Sequence, residues 1–349
     1  PYIDEVMFDV AQDAEVLVLK AMNGEIDCQG RHIATAANKA TFAEYREKGN
    51  YRFVTEQHTS PNRMCLYLNL CHKDPLKREV FRNKDFRIGL SHALNRQELI
   101  DTVWMRAGEP YQVAPMRDDK FFHEQLATQY IEYNPDLANE HLDAAGLTER
   151  DGEGFRLLSD GSRLTFFVEV TTALTDMIDA LELIRTQWQA VGIDMQSKVE
   201  DRTLFYERHE ANEQDASVWS GEGGRGFAII LTPKNYVPYH TAGSRFALPW
   251  AYWYTNPNLE VSEEPPDIVK QQLELYSQVL TVASDDERDA LMRQVLDIAA
   301  DQFYQMGIST PDEGYMIVSN KMHNVPEMVG SWSYPTPGPS NPEQYWLEA

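Results

Sequence analysis

The sequence predicts a mixed α/β fold. Three observations carry this: apolar–polar alternation over short stretches such as "YRFVTEQH" and "RLTFFVEV", apolar residues at helical spacing in "TDMIDALELIRTQWQAVG", and capping residues where helical stretches begin. At 349 residues the chain is long enough for two domains or one large discontinuous one.

In chain order, "YIDEVMFDV" alternates and reads as a strand, and "DAEVLVLKAMNGEID" reads as a helix ending near Gly24. Strands follow at "YRFVTEQH" and "RMCLYLNL". "FRNKDFRIGLSHALNRQELIDTVWMRAGEP" holds two helices, the second capped by Asn95 with Glu98 three residues on and stopped by Gly108 and Pro110. "YNPDLANEHLDAAGL" has Asn134 as cap, Pro135 at the first helical position and Gly146 at the end. The long amphipathic helix after strand "RLTFFVEV" turns Ile178, Leu181, Ile184, Trp188 and Val191 inward, and a strand follows Gly192. Asp201 caps a short helix, and "DASVWS" is a short strand. Helices over about 266–283 and 285–303 are separated by Ser284, with Glu287 three residues on. Strand-like "YMIVSN" and a Pro-rich tail complete the chain.

With 55 acidic and 31 basic residues the net charge is −24, which argues against nucleic acid or an anionic membrane surface as the main partner. No apolar run is long enough to span a membrane. Cys65 and Cys71 flank the strand "LYLNL", and six extended residues span roughly 20 Å, too far for a disulfide. Without a CxxC pair, a zinc site is not expected, and the three cysteines read as unpaired, mostly buried thiols.

"WSGEGGRGF", residues 219–227, has the glycine spacing of a dinucleotide-binding fingerprint. That fingerprint needs a helix opening inside it and an acid about 20 residues later. "FAIILTPKNYVPYH" carries Pro233 and Pro238 without helical period, and no Asp or Glu lies between Glu222 and Glu260. No nucleotide or other cofactor is expected. The loop instead presents Trp219, Glu222 and Arg225, and the segment through 254 adds Lys234, Arg245 and a run of rings including Tyr236, Trp250 and Trp253. Aromatic faces beside hydrogen-bonding groups suit sugars, peptides and other amphiphilic ligands, although each ring taken singly fits a packed interior as well. Among the nine histidines, His92, His141, His209 and His240 have no partnered Ser, Cys or HExxH spacing, so catalysis is not expected.

The order of segments resembles the family 5 extracellular solute-binding proteins, receptors of ABC importers. "FRNKDFRIGLSHALNRQELI" is similar to that family's signature helix pair, with Gly89 where the family usually has Ala. "YNPDLANEHLDAAGL", "RTQWQAVGIDM" and "DEVMFDVAQDAEVLVLKAMNGEID" resemble three further family segments in the right order, covering about residues 2–220; the region after 226 matches poorly.

The resemblance implies a type II periplasmic-binding-protein clamshell. Residues 1–69 and 308–349 would be returning parts of lobe I and residues 70–307 the ligand-binding lobe II, the chain corresponding to the C-terminal portion of longer members. It implies capture of a small-molecule ligand (peptide, sugar or conjugate), an ABC permease as partner, and a periplasmic or cell-surface location in a bacterium. A sensory or chaperone-like binder on the same fold is the alternative. In peptide-binding members an Asp three residues after a Trp pairs with the peptide's amino terminus; Glu222 stands there relative to Trp219, one methylene longer. The family's downstream D-P-x-x-F is replaced by "RGFAII", which puts Arg225 beside that acid. The ligand-binding set expected is Trp219, Glu222, Arg225, Tyr236, Trp250 and Trp253, with no catalytic residue and no metal ligand.

Overall fold

Strand Thr165–Thr171 runs parallel to Asp194–Glu200 on one side and to Ala216–Trp219 on the other. Cys65–Leu68 continues this sheet antiparallel to Ala216–Trp219, and Met306–Gly307 forms its far edge. The five strands belong to residues Ser60–Pro311, one of two units into which the chain divides; the other joins Pro1–Thr59 to Asp312–Ala349. The computed structural model describes residues 2–11, 13–31, 33–311, 313–331 and 340–348.

In the larger unit, helix Thr175–Ala190 connects the two parallel strands Thr165–Thr171 and Asp194–Glu200, the crossover that parallel pairing requires. Its Leu181, Ile184 and Trp188 are buried at the expected helical spacing and Ile178 is half-buried. The Trp188 indole donates to the carbonyl of Leu90 at 3.0 Å. Leu90 lies on helix Lys84–His92, the first of the signature pair, and Asn95 caps the second, Arg96–Val103, by accepting from the Glu98 amide at 3.2 Å. Asn134, Asp201 and Ser284 likewise accept backbone amides at the starts of their helices.

The signature pair also buries two arginines. Arg87 donates to the carbonyls of Phe81, Gln302 and Phe303, and Arg96 to those of Ser91 and Gly307 and to the Ser91 hydroxyl. Neither meets a carboxylate there; the carbonyls supply the negative charge that makes burial tolerable. Through these bonds the helix pair is tied to the end of helix Asp285–Gln302 and to the edge strand Met306–Gly307.

In the smaller unit, Tyr51–His58 lies between Gly314–Ser319, antiparallel, and Met328–Ser331, parallel, with Cys28–Gln29 beyond Gly314–Ser319. Alternation sends Tyr315 and Ile317 into one core with Ala21, Phe42 and Tyr51, and Met316 and Val318 into another with Val54 and Val329. Helix Ala14–Met22 matches the expected one. The three cysteines are free thiols; Cys65 and Cys71 are buried, and burial pushes the Cys65 thiol up to about 12.

One expectation needs correction. "YIDEVMFDV" forms no strand: Val6, Met7, Phe8 and Val10 are all exposed. Alternation tells which face of a strand could be buried, but a strand exists only where a partner supplies hydrogen bonds. The two units are divided between residues 59 and 60 and between 311 and 312. The reason is that Cys65–Leu68 and Met306–Gly307 are hydrogen-bonded to each other inside the larger sheet. Most of the Pro-rich tail, 332–339, lies outside the described residues.

Gly89 stands against helix Pro135–Ala144. A Cβ there would lie 2.8 Å from Cγ of Leu142 and 3.0 Å from the carbonyl oxygen of Ala138. Helix propensity alone favours Ala over Gly by about 1 kcal/mol, whereas overpacking costs about 1–3 kcal/mol. The Ala138 carbonyl is fixed in its helix, so crowding prevails. Gly89→Ala is expected to lower the melting temperature by about 2–4 °C, the shift for a net 1 kcal/mol in a unit of this size. A rise, measured by circular dichroism, would contradict this close approach of the two helices.

Candidate functional site

Trp219 ends its strand opposite Cys65, and the glycine loop begins one residue later. Underneath, the chain leaves no room. A Cβ on Gly224 would stand 2.5 Å from the backbone of Ser60 and Pro61; on Gly221 it would stand 2.6 Å from Cγ of Pro61 and 2.9 Å from Sγ of Cys65. Gly223 takes φ +87° and Gly226 φ +55°, which side chains resist. The protein's own backbone therefore requires these glycines. Gly226 opens a five-residue helix, Phe227–Leu231, where none was expected. Pro233 keeps it short, and the acid a dinucleotide site needs is still missing from the sequence.

Hydrogen bonds fix the loop from several sides. The Met116 amide donates to Gly224 at 2.9 Å, the Tyr236 hydroxyl to Gly223 at 2.9 Å, the Asn235 side chain to Glu222 at 3.2 Å, all on carbonyl oxygens. The Gly226 amide donates to the Asp119 carboxylate at 2.6 Å. Arg225 turns to Asp118, and that guanidinium holds the Asp118 carboxyl below the usual carboxylate range. Glu222 pairs with the Lys234 ammonium at 2.8 Å. Glu222 and Arg225, neighbours in the sequence, thus have different partners.

Trp219, Glu222 and Arg225 share this loop, with Tyr236 beneath it. Tyr236 is fully buried, with its hydroxyl on the Gly223 carbonyl beneath the loop. Trp250 is also buried, on helix Leu248–Thr255, with the Arg82 guanidinium 5.3 Å from its ring centre and its indole donating to Glu263. Trp253, half-buried on the same helix, has the Lys270 ammonium 6.0 Å from its ring. The structure gives these two rings partners other than the loop.

The partners of Trp219 escaped sequence reasoning. Its ring stacks on Phe205 at 5.5 Å and meets Tyr206 at 5.8 Å, both on helix Arg202–Glu210. The guanidinium of Arg245 lies 4.6 Å from the Trp219 ring centre, 5.1 Å from Phe205 and 5.3 Å from Tyr206. The adjacent rings in "TLFYERH" were the available signal, but only the fold brings that helix over the end of the strand.

Below the rings, the sheet buries charge. Glu169 accepts from Arg208 at 2.7 Å, while Glu200 meets Lys198 at 2.6 Å and Arg208 at 3.3 Å. Desolvation raises the Glu169 carboxyl despite Arg208. His209 donates from Nδ1 to the Phe205 carbonyl at 2.7 Å, and its Nε2 is buried without a partner. Burial, then the Arg245 charge, push its imidazole down to about 3. His141 pairs with Asp85 at 2.8 Å and stacks on His92. Among the described residues no three His, Cys, Asp or Glu side chains are grouped as metal ligands would be.

Comparison with known proteins gives a consistent picture. Residues 1–240 match the bacterial extracellular solute-binding proteins, family 5 Middle. The chain is similar to the oligopeptide-binding protein AppA of Bacillus subtilis (strain 168), 21% identical over 290 residues, covering 82% of this chain and 50% of AppA. It superposes on an oligopeptide-binding protein OppA with a TM-score of 0.77 and 29% identity, covering 97% of this chain and 56% of that one. The periplasmic binding protein MelB of Agrobacterium fabrum C58, solved in complex with stachyose, gives a TM-score of 0.75 at 16% identity, covering 96% and 50%. The fold is that of the type II periplasmic binding proteins, and the chain spans about half the length of these relatives.

The buried His209 has a consequence for acid stability. The unfolded chain takes up a proton on this residue near pH 6.5, and the folded chain resists until about 3. Stability that is complete above pH 6.5 is therefore lost as pH falls through that window. The urea midpoint is expected to drop between pH 7 and 4.5, and His209→Gln to flatten that drop. An equally steep fall in the variant would mean that other groups carry it.

Proposed function

The chain belongs to the bacterial extracellular solute-binding proteins, family 5, and from that membership we propose that it is the solute-binding component of an ABC importer. It captures a small solute, an oligopeptide or an oligosaccharide, and delivers it to a membrane permease in the periplasm or at the cell surface. Its task is binding without bond-making. The carrying observation is the family match over residues 1–240, which includes Trp219 and Glu222 at the end of a sheet strand. Residues 60–311 correspond on this reading to the ligand-binding lobe and the remainder to parts of the other.

Relatives of this fold include MelB, solved with stachyose, and AppA, solved with a nonapeptide, so both ligand classes have precedent. Glu222 offers a chemical distinction between them. Its carboxylate already pairs with Lys234, and both side chains are about four-fifths covered. A peptide amine competes with the Lys234 ammonium for that carboxylate, whereas a sugar hydroxyl donates to a free lone pair and leaves the pair in place. Trp219 supplies an apolar face beside it.

A thermal-shift screen of the full-length protein against short peptides and stachyose tests the reading. One class is expected to raise apparent stability by about 2.7 kcal/mol at a hundred times its dissociation constant. Glu222→Gln then separates the classes: loss of a charged hydrogen bond costs about 2 kcal/mol, so an amine ligand should bind about 30-fold more weakly. A hydroxyl ligand should lose less than about fivefold. No shift with any peptide or sugar would count against solute capture.

A further inference from the structure

We propose that Arg245 binds a carboxylate group of the captured solute, which makes the ligand an acid-bearing molecule; this rests on the solute-binding reading. Arg245 is 5% exposed, and its Nη1 is buried without a hydrogen-bond partner. The other deeply buried arginines differ. Arg87 and Arg96 are satisfied by carbonyl oxygens, and Arg156 by Asp143 and two carbonyls. The acid whose charge reaches Arg245, Glu222, is itself paired with Lys234.

What surrounds the guanidinium is aromatic. Phe205, Tyr206 and Trp219 hold it by cation–π attraction, and the Tyr206 hydroxyl also takes one of its N–H donors, while Nη1 is left without an acceptor. A second guanidinium, that of Arg202, rests on the same Tyr206 and Trp219 at 5.6 and 5.4 Å. Two cations sharing two rings, in a chain of net charge −24, form a local reversal of the protein's field. Burial weakens the hold of Arg245 on its proton even though Tyr206 and the Glu222 charge pull the other way, a cost that an arriving anion reduces.

A carboxylate fits because its two oxygens match the planar fork of the guanidinium. Access is from the side of Arg202, which is exposed, between Tyr206 and Trp219, which are half-buried. Glu222, three residues beyond Trp219, adds carboxylate acceptors at the loop, shared with Lys234. A solute lying along Trp219 would therefore place its acid at Arg245 and a hydroxyl or amine toward Glu222. A peptide C-terminus and a uronic acid offer the same carboxylate.

Calorimetry on the full-length protein with two matched pairs tests this: trialanine against trialanine amide, and trigalacturonate against its methyl ester. In one pair the acid should bind at least about tenfold more tightly than its neutral partner, the pair that responds identifying the source of the carboxylate. Arg245→Met should bring that ratio to within about threefold while the protein still melts cooperatively. Should the Met variant not fold, Arg245→Lys decides, since it keeps the charge and loses the fork; its ratio should fall too. An unchanged ratio in the folded variant, or neutral partners bound as tightly as acids, overturns the assignment and leaves solute binding standing. No binding by any of the four also overturns it, while the peptide and stachyose screen decides the broader reading separately.

Discussion

The close approach of the glycine loop to Ser60, Pro61 and Cys65 sets the geometry of everything around it. Gly221 and Gly224 lie where any Cβ would collide with backbone or with the first residue of strand Cys65–Leu68. Because the loop is pressed onto the chain that enters the sheet, Trp219 must leave its strand toward helix Arg202–Glu210, and Glu222 must stand out toward Lys234. A spacing that imitates a phosphate-binding turn arises here from packing. The glycines serve the backbone, which holds the side chains between them in fixed places.

The aromatic cluster rests on a charged floor, and the two are physically coupled. Phe205 stacks on Trp219 above while its carbonyl holds the His209 ring, 4.1 Å from its own ring. One residue earlier, Arg208 reaches Glu169 and Glu200 on the sheet. A short helix thus presents rings to one side and cations to the sheet on the other. Strand pairing fixes the floor, since Glu169 lies opposite both Lys198 and Ser217. The same helix thus links the buried charges of the sheet to the ring cluster through Arg208, Phe205 and Tyr206.

What the sequence disclosed, and what it did not, follows from the range of each interaction. The caps at Asn95, Asn134, Asp201 and Ser284 act within three residues, and each holds as read. The buried face of Thr175–Ala190 follows from helical period alone. "YIDEVMFDV" has the right pattern but no pairing partner, and pattern cannot supply one. At the site, the loop residues were legible because the glycines mark them. Their partners were not: Arg225 reaches back to Asp118, 107 positions away, and Trp219 meets rings from a separate helix. Tyr236 and Trp250 illustrate the same limit, because a ring-rich segment looks identical whether its rings line a surface or fill a core.

Three charged residues of this region have unequal standing once their partners are known. Arg225, which replaces part of the family's downstream motif, spends its charge on Asp118 and helps anchor the turn into helix Phe227–Leu231. Glu222 keeps the family's acid but meets a lysine of the same segment, so its charge is balanced before any ligand arrives. Arg245 has no such balance: rings cradle it, and one of its terminal nitrogens has no acceptor. Of the three, Arg245 is the one with a buried terminal nitrogen left without an acceptor. A binding site gains affinity most where the free protein bears an unmet cost that the ligand can remove, because the gain is then realised only on binding.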